Sequence, residues 1–258
     1  MESIAALLGF SEAALWHCVL IFLRVGAIVA LLPGFGEQTV PARVKLAIAV
    51  MFTLVVAFAI PAMEQEAVWA FPTLIRYVGT ETLSGFVIGI GVRMLVMALQ
   101  TAGSMAAQAT SLAQIFGGAG VEPMPAIGHV LVVSGLALAM ILGMHVRAAG
   151  LMILSYEMLP PGIFLGSDMV AEWGLDQVRR AFSLAFQLDA PFIIISVLYN
   201  LTLGVINRAM PQLMVAFVGA PVITFGGLAL LLLLSPLMLE VWVHAMNQFL
   251  ANPVGVGR

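Results

Sequence analysis

Long apolar stretches dominate the chain, and polar residues are concentrated in the short segments between them. A helix needs about 20 apolar residues to cross the hydrocarbon core of a bilayer, which is about 30 Å thick. Six regions meet or approach that length: 12–32, 44–62, 74–100, 127–156, 178–207 and 212–248. Runs such as residues 228–234 do not alternate between apolar and polar positions, as the strands of a membrane barrel do. The pattern therefore predicts an all-α membrane protein with about six long hydrophobic helical segments.

Clusters of proline and glycine separate these regions. Residues 33–36 (Pro-Gly-Phe-Gly) follow the first region and Pro61 follows the second, and both predict helix ends because proline lacks a backbone donor. The glycine-rich residues 116–120 cannot continue a helix. Pro211 directly precedes the final region, and Pro221, Gly226-Gly227 and Pro236 interrupt it. We therefore expect several broken or hairpin-like helices, above all in that final region.

Composition supports a membrane protein and argues against other classes. Hydrophobic residues make up 62% of the 258 residues and charged residues 9%, with a mean hydropathy of +1.11. Soluble domains carry about 25% charged residues, so a surface this poor in charge is not mostly wet. The net charge of −3 argues against a nucleic-acid partner, which requires a basic face. No internal repeat or low-complexity tract divides the sequence, so we expect one domain over residues 1–258.

Residue patterns typical of catalysis are missing from the sequence. The four histidines lie without metal-ligand spacing, at His17, His129, His145 and His244. The glycines at 117–120 are not followed by the Lys-Ser/Thr pair that a phosphate-binding loop requires. The sequence therefore predicts that the protein is not an enzyme and that it uses neither a metal ion nor a cofactor.

Charged residues inside the apolar regions are the first place to look for function, because each costs a few kcal/mol at the bilayer centre. Arg24, Arg93 and Asp189 lie well inside the first, third and fifth regions. Glu81, Arg147 and Glu240 lie nearer the ends. Two interpretations are open. These residues form ion pairs between helices or subunits, which we favour, or they form the proton relay of a transporter.

A polar stripe follows the third region. Its members recur every three or four positions and so share one helical face: Gln100, Ser104, Gln108, Ser111 and Gln114. Small residues lie among them, including Gly103 and Ala106. Such a face either lines a channel or lets another helix approach closely, and we favour close packing.

Several local patterns occur in one order along the chain. They are Arg24 followed by Pro33, Phe35-Gly36 and residues 40–45 (Val-Pro-Ala-Arg-Val-Lys); Thr101-Ala102-Gly103 with Gln108 and Glu122-Pro123; and residues 203–213, which contain Gly204, Arg208, Pro211 and Gln212. Together, over roughly residues 20–225, these patterns resemble the FliR family of export-gate proteins of the flagellar type III secretion apparatus. Two positions depart from the family: Asp189 replaces an aliphatic residue, and Gln100 replaces an arginine that often stands there.

The resemblance implies a location and partners. Members are multi-pass proteins of the bacterial inner membrane, in the flagellar basal body. They resemble a fusion of two smaller gate subunits, and one copy closes a helical ring made with several copies of those partners. The resemblance thus implies a hetero-oligomer with other flagellar export-gate membrane subunits, in contact with unfolded export substrates and the lipid bilayer. Arg24, Arg93, Asp189, Arg208 and Gln212 are the buried-charge and assembly residues that we expect.

The resemblance also implies a gating loop. In the family a loop projects into the conduit and helps to close it, and by position this loop is residues 115–124. Its candidate residues are Phe116, Gly117, Gly118, Gly120 and Met124. Two other functions remain open: the equivalent subunit of a virulence secretion system, and a small proton-coupled transporter that uses Arg24, Arg93 and Asp189.

Overall fold

The computed structural model of the chain describes residues 2–61, 71–110, 126–210 and 215–253. These ranges contain seven helices joined by turns and short connections: α1 (Glu2–Leu31), α2 (Ala42–Ala59), α3 (Phe71–Thr110), α4 (Ala126–Ile141), α5 (Met144–Met158), α6 (Ser167–Ala209) and α7 (Val215–Ala251). None of the described residues forms a strand. Each of the six apolar regions of the sequence is helical over most of its described residues, with one break more in the fourth region and fewer breaks in the final one than the breakers predict.

Within the described ranges, five helical stretches are long and apolar enough to cross a membrane: Ala14–Leu31, Ala42–Ala59, Phe71–Ala109, Ser167–Ala209 and Pro221–Ala251. A sixth span results if α4 and α5 are counted as one bent pair. Large apolar side chains lie open on these helices, for example Phe58 (91% exposed), Phe225 (76%) and Leu232 (77%). Monomeric soluble proteins rarely expose apolar surfaces of this extent to water. The prediction of an all-α membrane protein with about six hydrophobic segments is confirmed.

The break in the fourth apolar region lies where the sequence gives little warning. Residues 127–156 were expected as one segment, but α4 and α5 meet at a bend of 75°. Gly143, between them, has a φ of 80°, which side chains other than glycine rarely adopt. The two helices have 16 and 15 residues, so each is shorter than the roughly 20 residues that cross a bilayer.

The final apolar region has fewer breaks than the sequence predicts. We expected broken or hairpin-like helices there, yet α7 continues from Val215 to Ala251 with Pro221 and Pro236 inside it. Similarly, α6 contains Pro191. Each proline removes one backbone donor, and a long helix held by its remaining hydrogen bonds accommodates the loss. Proline alone therefore does not end a helix in this chain.

The chain divides into two compact units. The first comprises Met1–Met94, Met140–Gln177 and Met246–Arg258, and the second comprises Leu95–Ala139 and Val178–Ala245. The first unit has an apolar core in which Ile21, Val25 and Ile28 of α1 are fully buried. In the second unit, the buried indole of Trp242 donates a hydrogen bond to the carbonyl of Leu95 at 2.7 Å. The single domain expected over residues 1–258 stays a prediction.

The connection between α1 and α2 is a tight turn in the first unit. Gly34 has a φ of 82°, and the Gly36 amide donates to the Leu32 carbonyl at 2.7 Å. A Cβ on Gly36 would lie 2.3 Å from the Ala30 oxygen, so only glycine fits at this position. The rings of Phe35 and Phe52 then meet edge to face, with centroids 6.1 Å apart. The proline and glycine cluster at 33–36 thus ends α1 as the sequence predicted.

Candidate functional site

A fully buried ion pair joins α1 to α3. Arg24 Nε lies 2.9 Å from Glu81 Oε2, and Arg24 Nη2 donates to Glu81 Oε1 at 3.2 Å. Both side chains have 0% exposure. One of these contacts, from Nη2 to Oε1, is a hydrogen bond between two charged groups, which is stronger than one between neutral groups. Two opposite charges are therefore neutralised inside an apolar core.

Further groups complete the surroundings of this pair. Arg24 Nη1 donates to the carbonyl of Ser155 at 2.9 Å, and the guanidinium carbon lies 3.9 Å from the centre of the Tyr156 ring. The amide of Gly162 donates to Glu81 Oε1 at 3.3 Å. Gly162 lies in the connection between α5 and α6. Its φ of 73° is a conformation that glycine adopts readily and other residues rarely do. The pair thus connects α1, α3, α5 and the segment that follows α5. We call these five residues the arginine cluster.

Two glycines allow α1 and α3 to approach at this level. A Cβ on Gly85 would lie 2.4 Å from the Arg24 carbonyl oxygen, and one on Gly89 would lie 2.9 Å from the Leu31 Cβ. Both distances are too short for any side chain larger than hydrogen. Glycines four residues apart lie on one face of a helix, where they let a second backbone pack closely. The pair of glycines therefore positions Arg24 against Glu81.

A second ion pair is more open. Arg93 Nη1 of α3 pairs with Glu37 Oε1 in the α1–α2 connection, and the two side chains are 31% and 27% exposed. Nearby in sequence, Lys45 Nζ donates to the Gly36 carbonyl at 3.1 Å. Both interactions hold the same turn against neighbouring helices of the first unit. Sequence reasoning did not single out Glu37, because a carboxylate beside a glycine turn gives no distance to α3.

Asp189 of α6 has no such partner among the described residues. Its side chain is 0% exposed, and neither carboxylate oxygen accepts a hydrogen bond. It lies in the second unit, whereas Arg24 and Arg93 lie in the first. Arg24 forms its ion pair with Glu81, and Arg93 forms its ion pair with Glu37. The described structure therefore gives no support to a proton relay that joins these two arginines to Asp189.

The polar stripe on α3 divides into two faces. Ala102 and Ala106 are fully buried, and a Cβ on Gly103 would lie 2.3 Å from the Cα of Gly128 in α4. The small residues therefore serve close helix packing within the second unit. Gln100 and Ser104 stay half-buried and Gln108 is exposed, so their polar groups remain available to water or to another protein. Ser111 and Gln114 lie outside the described residues.

The remaining candidates are distributed as follows. Phe116, Gly117, Gly118, Gly120 and Met124, the candidate gating residues, lie outside the described residues, as does Gln212. Arg208 is exposed in the last turn of α6, where a cation interacts favourably with the helix dipole. Their roles in gating and assembly stay predictions.

Two further observations concern metal binding and cavities. In this part of the chain, no group of three or more His, Cys, Asp or Glu side chains is arranged to hold a metal ion. The first unit contains a cavity of about 300 Å³, but apolar side chains line it, among them Val87, Met158, Leu165 and Met169. Such a cavity has no group that could transfer a proton or attack a substrate.

Comparison with known proteins gives a consistent result. Residues 15–249 match the model of a family described as bacterial export proteins, family 1. The chain is 31% identical over 237 residues to the flagellar biosynthetic protein FliR of Caulobacter vibrioides, covering 90% of this chain and 93% of that protein. Proteins of the same name from Escherichia coli and Aquifex aeolicus are 28% and 29% identical, with 88% of this chain aligned in each case and 87% and 88% of the relatives.

Proposed function

The chain belongs to the bacterial export proteins, family 1, and from this membership we propose that it is a structural and gating subunit of the flagellar protein-export channel. It is a flagellar export-gate protein and a multi-pass protein of the bacterial inner membrane, at the flagellar basal body. The match over residues 15–249 carries the proposal, because it covers nearly every described helix and is not confined to one motif.

The surface of the chain supports a role inside an assembly. Helices α2, α6 and α7 expose large apolar side chains over most of their length. In a membrane complex, such surfaces pack against neighbouring subunits or lipid. We propose that other flagellar export-gate membrane subunits cover them, in a hetero-oligomer that surrounds a passage for unfolded substrate proteins. The chain itself works as a conduit component and not as an enzyme.

The gating role is proposed for residues 115–124. The described helices on either side of this segment support it. Gly103 of α3 and Gly128 of α4 lie against each other, since a Cβ on the former would lie 2.3 Å from the Cα of the latter. The two helices that flank the segment in the sequence are therefore packed against each other. Its glycines permit an irregular backbone, and Phe116 and Met124 supply apolar groups that can close a pore.

Deleting the gene tests the function directly. In the source bacterium, loss of this chain should abolish secretion of flagellar proteins into the medium and swimming, and a plasmid copy should restore both. The tagged plasmid copy, isolated from its own membranes, should bring other integral membrane subunits with it. Normal secretion in the deletion strain would contradict the proposal.

A transport assay separates the two classes of function. A small transporter predicts that the purified chain alone moves solute into vesicles and that Asp189→Asn stops this movement. The export-gate proposal predicts no solute uptake by the chain alone with either sequence. Uptake that depends on Asp189 would overturn the proposal in favour of a transporter.

A further inference from the structure

The second half of α6 is open on most of its sides. From Ile193 to Ala209, most side chains are exposed, including Ile194, Leu198 and Val205. One side is covered, because Tyr199 and Leu203 lie against Gly219 of α7, where an added Cβ would be 2.2 Å from the Tyr199 hydroxyl. This stretch lies in a candidate membrane span, so its other sides face lipid or a partner.

A line of polar residues runs along this open helix. Its members are Asp189, Ser196, Asn200 and Asn207. Their spacings of seven, four and seven residues follow the helical period, so all four lie within roughly 40° of one another around the axis. Eighteen residues of helix extend about 27 Å, which is close to the thickness of the hydrocarbon core. We call this line the α6 polar line.

The hydrogen-bonding groups on the α6 polar line are mostly unused. Asn200 Nδ2 donates to Ser196 Oγ at 3.3 Å, but no described group bonds the Asn207 amide. Asp189, at the enclosed end of the line, has two oxygens without a partner among the described residues. By contrast, Thr202 lies off the line and donates to the Leu198 carbonyl of its own helix at 2.8 Å. The Tyr199 hydroxyl, on the side of α6 that faces α7, is also without a described hydrogen-bond partner, so the line holds most but not all of the unmet polar groups of this helix.

The width of the line decides what can cover it. Ile193 flanks it on one side and Leu203 on the other, so it is one residue wide. Lipid cannot satisfy amides at membrane depth, where an unpaired polar group costs several kcal/mol. The wall of a water-filled passage would present polar groups over a wider arc. One helix packed along the line would reach all of the open polar groups.

We propose that the open part of the α6 polar line, formed by Ser196, Asn200 and Asn207, is the docking surface for one membrane helix of a partner subunit, which carries hydroxyl or amide side chains at three- to four-residue spacing. Asp189 is fully buried and lies outside this surface. This inference rests on the proposed function, because it names a surface through which the chain joins the export gate. Ser196, Asn200 and Asn207 form hydrogen bonds with the partner helix, and the flanking apolar side chains exclude lipid from the seam.

Single cysteines test the docking surface in the assembled complex. Cys18 is the only native cysteine and is replaced by serine first. Cysteines are then placed on the line (Ser196→Cys, Asn200→Cys and Asn207→Cys) and, as matched controls, on the open apolar face of the same helix (Ile194→Cys, Leu198→Cys and Val205→Cys). Membranes are treated with a short bifunctional thiol reagent and, separately, with a charged maleimide that reacts only in water.

The expected result is specific to the line. Line cysteines should cross-link to one integral membrane subunit, through a peptide from a membrane helix that contains Ser, Thr, Asn or Gln, and should resist the charged maleimide. Control cysteines should not give that product. Rapid maleimide labelling of the line would mean a water-filled passage, and equal behaviour of both faces would mean lipid; either result overturns the inference. Both leave the proposed function intact as long as flagellar protein is still secreted.

Substitutions provide a second readout. Asn200→Leu combined with Asn207→Leu removes two sets of polar groups, and interhelical hydrogen bonds in membranes are worth enough to reduce recovery of the complex roughly three- to fifteenfold. Asn200→Gln should retain most of the recovery because it keeps the amide. The control Leu198→Ala with Val205→Ala alters the opposite face. Recovery that falls equally for the line variant and the control would overturn the inference.

Discussion

Arg24 and Glu81 are both buried in an apolar core, where each side chain provides the opposite charge that the other requires. The Glu81 carboxylate accepts hydrogen bonds from Arg24 Nη2 and from the Gly162 amide. Arg24 Nη1 donates a hydrogen bond to the Ser155 carbonyl. A buried pair of this kind adds little net stability compared with apolar residues. Losing one partner, however, costs about 3–5 kcal/mol because the other charge stays buried and unpaired.

We therefore predict that Glu81→Gln destabilises the chain by about 3–5 kcal/mol, since the buried guanidinium loses its counter-charge. This corresponds to a decrease of roughly 10 °C in the midpoint of thermal aggregation for a protein of this size. The midpoint is measured on tagged protein in isolated membranes. Arg24→Met combined with Glu81→Met removes both charges and should recover most of the loss.

Arg93→Met is the matched control for that measurement. Its ion pair with Glu37 is about one-third exposed, so its loss should cost no more than about 1 kcal/mol. A Glu81→Gln variant as stable as Arg93→Met would show that the arginine cluster does not stabilise the fold.

The sequence indicated the importance of these residues but not their pairing. Arg24 and Arg93 were recognisable because charges in apolar segments require partners. Arg24 and Glu81, however, are separated by 57 residues, and only the packing of α1 on α3 brings them together. Glu37 gave no signal at all, because it lies in a turn where a solvated carboxylate is the ordinary expectation.

Glycines determine how closely the helices of the first unit pack. Gly85 and Gly150 both lie inside helices, but their surroundings differ. A Cβ on Gly85 would lie 2.4 Å from the Arg24 oxygen, whereas one on Gly150 would meet nothing within 4 Å. Backbone cannot move aside as a flexible side chain does, so the contact at Gly85 fixes the distance between α1 and α3.

Gly85→Ala should therefore destabilise the chain by about 1–3 kcal/mol, because the methyl group forces α1 and α3 apart. Gly150→Ala should be neutral or stabilise by up to about 1 kcal/mol through its better helix propensity. Both variants are expressed without the other export subunits and compared by their resistance to protease in membranes. Equal resistance of the two variants would contradict the role assigned to Gly85.

Helix positions followed from the sequence better than helix breaks did. Apolar runs of about 20 residues leave few alternatives to a helix, so the spans were predictable. The bend at Gly143 was not, because this glycine lies between leucine and methionine without a polar residue or proline beside it. Conversely, Pro221 and Pro236 suggested breaks in α7 that the structure does not contain. A single proline costs one hydrogen bond, which long helices tolerate.

Among the described residues, the chain exposes more apolar surface than a protein that stands alone in water normally does. The arginine cluster connects α1, α3 and α5 inside the first unit, whereas α2, α6 and α7 expose large apolar side chains that other proteins or lipid would have to cover. The resemblance to the export-gate family predicted this arrangement, which residue patterns alone do not give. It also implies a gating loop at residues 115–124, which stays a prediction that a test of the whole assembly can decide.

Shortening that loop should make the resting channel leak. Replacing Phe116 with Ala and deleting residues 117–120 removes the apolar side chain and the glycines to which we assign the gating role. We expect raised ion conductance across the cell membrane, with the amount of assembled complex unchanged. Conductance is measured in cells that lack export substrates, and the matched control is Gly150→Ala. Conductance equal to that of the control would remove the gating assignment.

The separation of Arg24 from Glu81 also has a consequence for the synthesis of the chain. Ribosomes add about 5–20 residues per second, so roughly 3–11 s pass between the emergence of the arginine and that of its counter-ion 57 residues later. During this interval the first helix carries an unneutralised guanidinium, which opposes insertion by about 2.5–3.5 kcal/mol. The nascent α1 therefore carries this penalty until α3 enters the membrane and supplies Glu81.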